Sequence, residues 1–271
     1  MSLLLSTLRL CWLALATSIL QGCGDKLIRL GDQTAELGGG GAVGSSGASA
    51  TGGSTMVAGP GGEGGVSGSN APCPHAQVLA SEVLWIGDSW INDPGTQNSR
   101  VRDLARAAGA IGSNDDYAVL AAAAADMAAV AKQYDTRERA ATKVKVLIMD
   151  GGTWDGIAAQ MSGASVSAAL DNSVSTFQRF LAKVASDGTV EHIVYYLVPE
   201  LPSVPGVATL RPQLQEACVD SAVPCHFIDL QQSWSGHPEY TALNGIQSSE
   251  IGAVVIANLI WATMQDNCIA Q

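Results

Sequence analysis

From residue 74 onward the chain alternates two hydrophobic patterns. Short unbroken apolar runs are followed by segments whose apolar residues recur every three or four positions. The first run, Val83-Leu84-Trp85-Ile86, is stopped by Gly87 and reads as a buried strand. Val101, Leu104, Ala105 and Ala108 follow at helical spacing. Tyr117–Leu120 is the second strand, with a helix near 126–138. Val144–Met149 is the third, broken by Gly151-Gly152. Leu170, Val174, Phe177, Leu181 and Val184 then mark one face of a long helix. His192–Val198 is the fourth strand, ended by Pro199, with a helix near 209–221. Cys225–Leu230 is the fifth. Ile251, Val254, Val255, Leu259 and Ala262 define a last helix, with Ser248 or Ser249 as its N-cap. Five apolar strands alternating with helices predict an α/β fold, a parallel sheet covered on both faces. Ligand sites in such sheets lie beyond the C-terminal ends of the strands.

The first 72 residues follow neither pattern. Arg9 precedes a short apolar stretch, Leu10–Ala16, which ends in Leu20-Gln21-Gly22-Cys23. That ending resembles the bacterial lipobox, where cleavage before the cysteine exposes it for lipid attachment. The plainer alternative is an ordinary secretory signal with an incidental cysteine. Residues 24–72 are rich in Gly, Ser, Ala and Thr, including Gly38-Gly39-Gly40-Gly41. They read as a flexible tether with a span of about 35–40 Å. The expected organisation is a signal peptide over 1–22, a tether over 23–72 and one folded domain over 73–271. The protein is expected to be exported and anchored at the cell envelope through lipid on Cys23, in the periplasm or at the outer surface.

Composition narrows the reading further. With 47% hydrophobic and 14% charged residues, the chain suits a globular domain with a real core. A net charge of −11 without a basic run argues against a nucleic-acid partner. Setting aside Cys11 and Cys23 leaves Cys73, Cys218, Cys225 and Cys268, an even set in an exported protein. Of three possible connectivities, Cys218–Cys225 closes a short helix-to-strand loop and Cys73–Cys268 staples the ends of the domain, and these are favoured. The cysteines lack zinc spacing, and His226 beside Cys225 reads as a strand residue, so no metal is expected.

Chemistry gathers at the predicted strand ends. Gly87-Asp88-Ser89 follows the first strand and would expose a serine hydroxyl at the sheet's edge. The second strand runs into Ala121–Ala125 and Asp126-Met127, and the third into Asp150-Gly151-Gly152-Thr153-Trp154-Asp155. Leu243-Asn244-Gly245-Ile246-Gln247-Ser248-Ser249-Glu250-Ile251-Gly252 leads into the last helix. Together these blocks resemble the SGNH (GDSL-type) hydrolases over about residues 78–266. The resemblance implies a three-layer α/β/α fold of the flavodoxin-like kind with a five-stranded parallel sheet. It also implies serine-dependent hydrolysis of acyl or acetyl esters on lipids or sugars, with no metal or organic cofactor.

Residue by residue, the resemblance is mixed. Ser89 matches the nucleophile, and its own N–H one oxyanion donor. Ala124 falls near the family's second-block glycine, a backbone donor, and Thr153 at its third-block asparagine, a side-chain donor. Asn244 and Gln247 stand at the final Asp and His. Glutamine cannot accept the serine proton, and asparagine carries no charge to stabilise an imidazolium. His237, on the loop before the last helix, is the candidate surrogate base, against the plainer reading of a surface residue. Asp155 and Glu239 are alternative carboxylate bases. Trp90, Trp154, Trp234 and Tyr240 either ring a sugar-binding pocket or pack the core. Three functions follow: a serine ester hydrolase with weak or altered activity, a non-catalytic envelope protein binding an acylated glycan or lipid, or a structural spacer. The domain is expected to be monomeric.

Overall fold

Each apolar run of the sequence becomes a strand of one sheet. A computed structural model of the protein describes residues 78–92, 97–137 and 143–269. The stretches read from sequence as signal peptide and tether, with Cys23 and Cys73, lie outside these residues. The strands are β1 (Val83–Ile86), β2 (Ala118–Val119), β3 (Val146–Met149), β4 (His192–Leu197) and β5 (Cys225–Asp229). They lie in the order β2-β1-β3-β4-β5, and every pairing is parallel. β1 and β3 are buried at every position, which explains their lack of alternation. The second and third strands are shorter than their apolar runs. Val119 is exposed at the sheet's edge, and Val144 is buried ahead of the ladder.

The helices are α1 (Ser89–Asn92), α2 (Gln97–Ala107), α3 (Met127–Asp135), α4 (Thr153–Ser162), α5 (Val166–Asp187), α6 (Val207–Val219), α7 (Leu230–Trp234) and α8 (Glu250–Asp266). α2 packs on α8, and α3, α4 and α6 pack on α5. Helices flank the sheet in a three-layer α/β/α arrangement. α5 buries Leu170, Val174, Phe177, Leu181 and Val184, the residues its spacing marked. Ser165 caps it by accepting the Ala168 N–H at 3.3 Å. Of the two serines proposed for the last helix, Ser249 is the cap and accepts the Gly252 N–H at 3.1 Å. α1, α4 and α7 have no counterpart in the sequence reading. α4 starts directly after Gly151-Gly152, with Gly152 as N-cap at φ 91°. That pair begins a helix rather than a loop.

The Cys218–Cys225 disulfide is formed, with the Cα atoms 5.3 Å apart, and closes the turn from α6 into β5. Cys268 is also disulfide-bonded. Cys73, the partner expected for it, is outside the described residues. No described helix is long and apolar enough to cross a membrane.

Candidate active site

The register of the two central strands sets the site. Ile86 pairs with Met149, so Gly87 and Asp150 leave the sheet side by side. The Asp88 N–H donates to Asp150 Oδ1 at 2.8 Å. A Cβ at Gly87 would overlap the Asp150 carboxyl, so glycine leaves the space this contact needs. The Asp88 side chain then turns back, and its Oδ1 accepts the Trp90 N–H at 2.9 Å. Ser89 opens α1 between these two fixed residues and is half-buried. Gln133 of α3 holds the turn from the other side. Its Oε1 accepts the Gly87 N–H at 2.7 Å, and its Nε2 donates to the Gly87 carbonyl at 2.9 Å.

The loop after β2 carries Ala124 at φ 59°, a left-handed conformation that L-residues other than Asn and Asp seldom adopt. The position aligned with a family glycine is thus one where the backbone favours glycine. Asp126 follows as the cap of α3, accepting the Ala129 N–H at 2.7 Å. The Met127 N–H donates to Asp155 Oδ2 at 2.9 Å, which ties the loop to the first turn of α4. Burial, more than any neighbour, raises the Asp155 carboxyl to about 6.

Thr153, the first residue of α4, is buried, and its hydroxyl donates to Asp88 Oδ2 at 3.4 Å. The Thr153 hydroxyl is therefore already engaged with the residue before Ser89. At the final block, Thr241 and Ser248 form an antiparallel bridge. Inside it, Asn244 Oδ1 accepts the N–H groups of Ile246 (3.0 Å) and Gln247 (3.1 Å). Asn244 Nδ2 donates to Gln247 Oε1 at 2.5 Å. Asn244 and Gln247 are thus paired with each other, as neutral amides. Gln97, buried in α2, supports this loop by donating to Ser248 Oγ at 3.3 Å.

His237 lies on an exposed turn, stacked on Tyr240 with ring centroids 4.5 Å apart. Its Nδ1 is 2.9 Å from Glu239 Oε1, and that contact holds the Glu239 carboxyl below its ordinary range. Tyr240 meets Trp234 edge-on at 5.3 Å, and Trp234 lies 6.0 Å from Trp90. Ring contacts therefore run from the residue after Ser89 to His237. Trp90 and Trp234 belong to the core, 3% and 7% exposed, and Trp154 is partly buried against it. A cleft of about 380 Å³ opens beside this row, lined by Glu200, Gln231, Trp234, His237 and Gly245 among others. His192 and His226 meet at 3.2 Å on β4 and β5. Among the described residues no group of three or more His, Cys, Asp or Glu is placed to hold a metal.

No family model and no curated protein matches the chain. Solved structures do. An acetylxylan esterase from Geobacillus stearothermophilus is similar with a TM-score of 0.53 at 14% identity, over 67% of this chain and 93% of that one. An alpha/beta hydrolase enzyme from the metagenome of Lake Arreo, Spain, gives 0.53 at 13% identity, over 71% and 97%. An acetyl xylan esterase gives 0.51 at 14% identity, over 66% and 98%. The domain shares the fold of these enzymes. Catalytic mutants of the Geobacillus enzyme replace a serine, and an aspartate and a histidine three positions apart.

The backbone at Ala124 yields a direct test. A left-handed alanine costs about 1–2 kcal/mol, while glycine adds about 0.4–1 kcal/mol of unfolded-state entropy. Ala124→Gly should raise stability by up to about 1 kcal/mol in urea unfolding. Ala128→Gly, on the exposed face of α3, should lower it by about 1 kcal/mol. Equal losses at both positions would place Ala124 in an ordinary conformation.

Proposed function

We propose that the domain is a serine ester hydrolase-like domain of low or altered activity, acting on acyl or acetyl esters of a glycan or lipid. It works at the cell envelope, held there by lipid on Cys23. The fold and the position of Ser89 after β1 support the ester chemistry. The carrying observation for low activity is the Asn244–Gln247 amide pair. A serine hydroxyl needs a group that takes its proton as it attacks, and neither amide does so. Removing the base of a serine triad costs about 10⁶ in kcat, and the oxyanion hole and binding alone still leave a rate about 10³–10⁴ above water. Glu239 on Nδ1 orients the His237 ring and leaves its Nε2 free, but no hydrogen bond joins His237 to Ser89.

A second reading is a non-catalytic binding protein for an acylated glycan or lipid. It is favoured by Thr153, whose hydroxyl is turned to Asp88, and by the cleft beside Gly245. Both readings share one ligand class and part on turnover.

Restoring the two family residues separates them. The native protein should hydrolyse p-nitrophenyl acetate slowly. Asn244→Asp with Gln247→His should raise kcat/KM by at least about 10², a conservative share of what a base supplies. The gain should disappear when Ser89→Ala is added. A native enzyme that is already fast, Ser89-dependent and unaffected by His237→Ala would contradict this reading. No gain in a well-folded double variant would leave the binding role as the better account.

The anchor has its own test. Cys23→Ser should abolish lipid-precursor labelling and release the chain from the membrane fraction. Unchanged membrane attachment would refute it.

A further inference from the structure

Two carboxyl groups lie together beneath the Ser89 turn, and the ester chemistry uses neither. Asp88 is 3% exposed and Asp150 is 1% exposed. Among the described residues, the groups acting on Asp150 are Asp88, the Asp88 N–H and the Tyr196 hydroxyl, none of them a cation. Tyr196 donates to Asp150 Oδ2 at 3.4 Å. Asp88 accepts from Trp90 N–H on one oxygen and from the Thr153 hydroxyl on the other. A carboxyl buried beside a second one, with no cation acting on it, does not stay ionised at ordinary pH.

We propose that Asp88 and Asp150 hold one proton between them at neutral pH, carried by Asp150, and that this proton fastens the turn that presents Ser89. A neutral Asp150 donates its acid proton to the Asp88 carboxylate and accepts the Asp88 N–H. Asp88 in turn fixes the N–H of Trp90. Ser89 is thereby clamped on both sides through one pair of side chains, and Asp150 is a positioning residue. Gly87 belongs to the same device, since any Cβ there would occupy the space of the Asp150 carboxyl. Around the pair stand Tyr195 and Tyr196 from β4, Asp155 and Thr153 from α4, and the neutral Gln133 from α3. Burial first, and then the Asp88 charge, push the Asp150 carboxyl well above the ordinary carboxylate range.

The sign of the pH effect follows. A carboxyl raised in the folded state keeps a proton that the unfolded chain has released. Its contribution to stability is complete below the unfolded value and declines as pH rises toward the folded one. Asp155, raised to about 6, titrates in a lower window, so the range above about pH 7 reports on the buried pair.

The test uses the full chain and needs no turnover, so it stands apart from the ester reading. Infrared spectra at neutral pH should show the carbonyl band of a protonated carboxyl. The band should vanish in Asp150→Asn and persist in Asp155→Asn. The melting temperature of the native protein should fall between about pH 7 and about pH 9, and that of Asp150→Asn should fall less. The amide in Asp150→Asn is neutral, with a donor and an acceptor, so this variant should also keep the slow hydrogen exchange of the Trp90 amide, which Asp88 Oδ1 accepts. Asp150→Ala should speed that exchange at least about tenfold. Should Asp150→Ala fail to fold, the band and the asparagine variant still decide. Absence of a protonated-carboxyl band at neutral pH, or its survival in Asp150→Asn, would overturn the proposal. So would Trp90 amide exchange in Asp150→Asn as fast as in Asp150→Ala.

Discussion

The pairing of β1 with β3 is the constraint on which the rest of the site depends. Both strands are buried throughout, so backbone and side chains can leave the core only at the strand ends. Because all five strands are parallel, those ends lie along one edge of the sheet. The register that sets Ile86 against Met149 delivers Gly87-Asp88-Ser89 and Asp150-Gly151-Gly152-Thr153 to the same place. A slip of one residue would turn the strand's side chains to the opposite faces and separate Asp88 from Asp150. The Gln133 clamp on Gly87 and the Asp155 contact with Met127 then fasten the neighbouring helices to that edge.

Within this frame the departures from the SGNH pattern differ in weight. Ala124 still offers a backbone N–H, and its strained φ is the cost of retaining a loop suited to glycine. Thr153 still offers a hydroxyl, but that hydroxyl serves Asp88. At Asn244 and Gln247 the shape of a side-chain pair is kept while its acid–base chemistry is removed. A missing oxyanion donor costs about 10²–10³ in rate, and a missing base far more. In the proposed function, the final block is what separates hydrolysis from binding.

Much of the fold was legible in the sequence because burial on both faces writes each central strand as an unbroken apolar run. Val83–Ile86 was read to the residue. The long helix α5 was legible for the complementary reason, a one-sided stripe. α4 was not, since Gly151-Gly152 reads as an interruption and Gly156 weakens the pattern that follows. That Ser89 follows directly on β1 could be read from a local block. The Asp88–Asp150 pair could not, because it joins residues 62 positions apart through a strand register. Gln133 and Gln97 were invisible for the same reason. Trp90 and Trp234, equally suited by type to a sugar platform or a core, proved to be mostly core.

The central claim is that Ser89 sits at a hydrolase-like strand end without a general base. The rate at which a fluorophosphonate modifies Ser89, followed by intact mass, measures this directly. Nucleophilic attack on phosphorus needs the same proton removal as attack on an ester. The account predicts modification of the native protein at least about 100-fold slower than of the variant carrying Asn244→Asp and Gln247→His, with both reactions abolished by Ser89→Ala. Modification of the native protein as fast as of the variant would contradict it, since a working base would then already be in place.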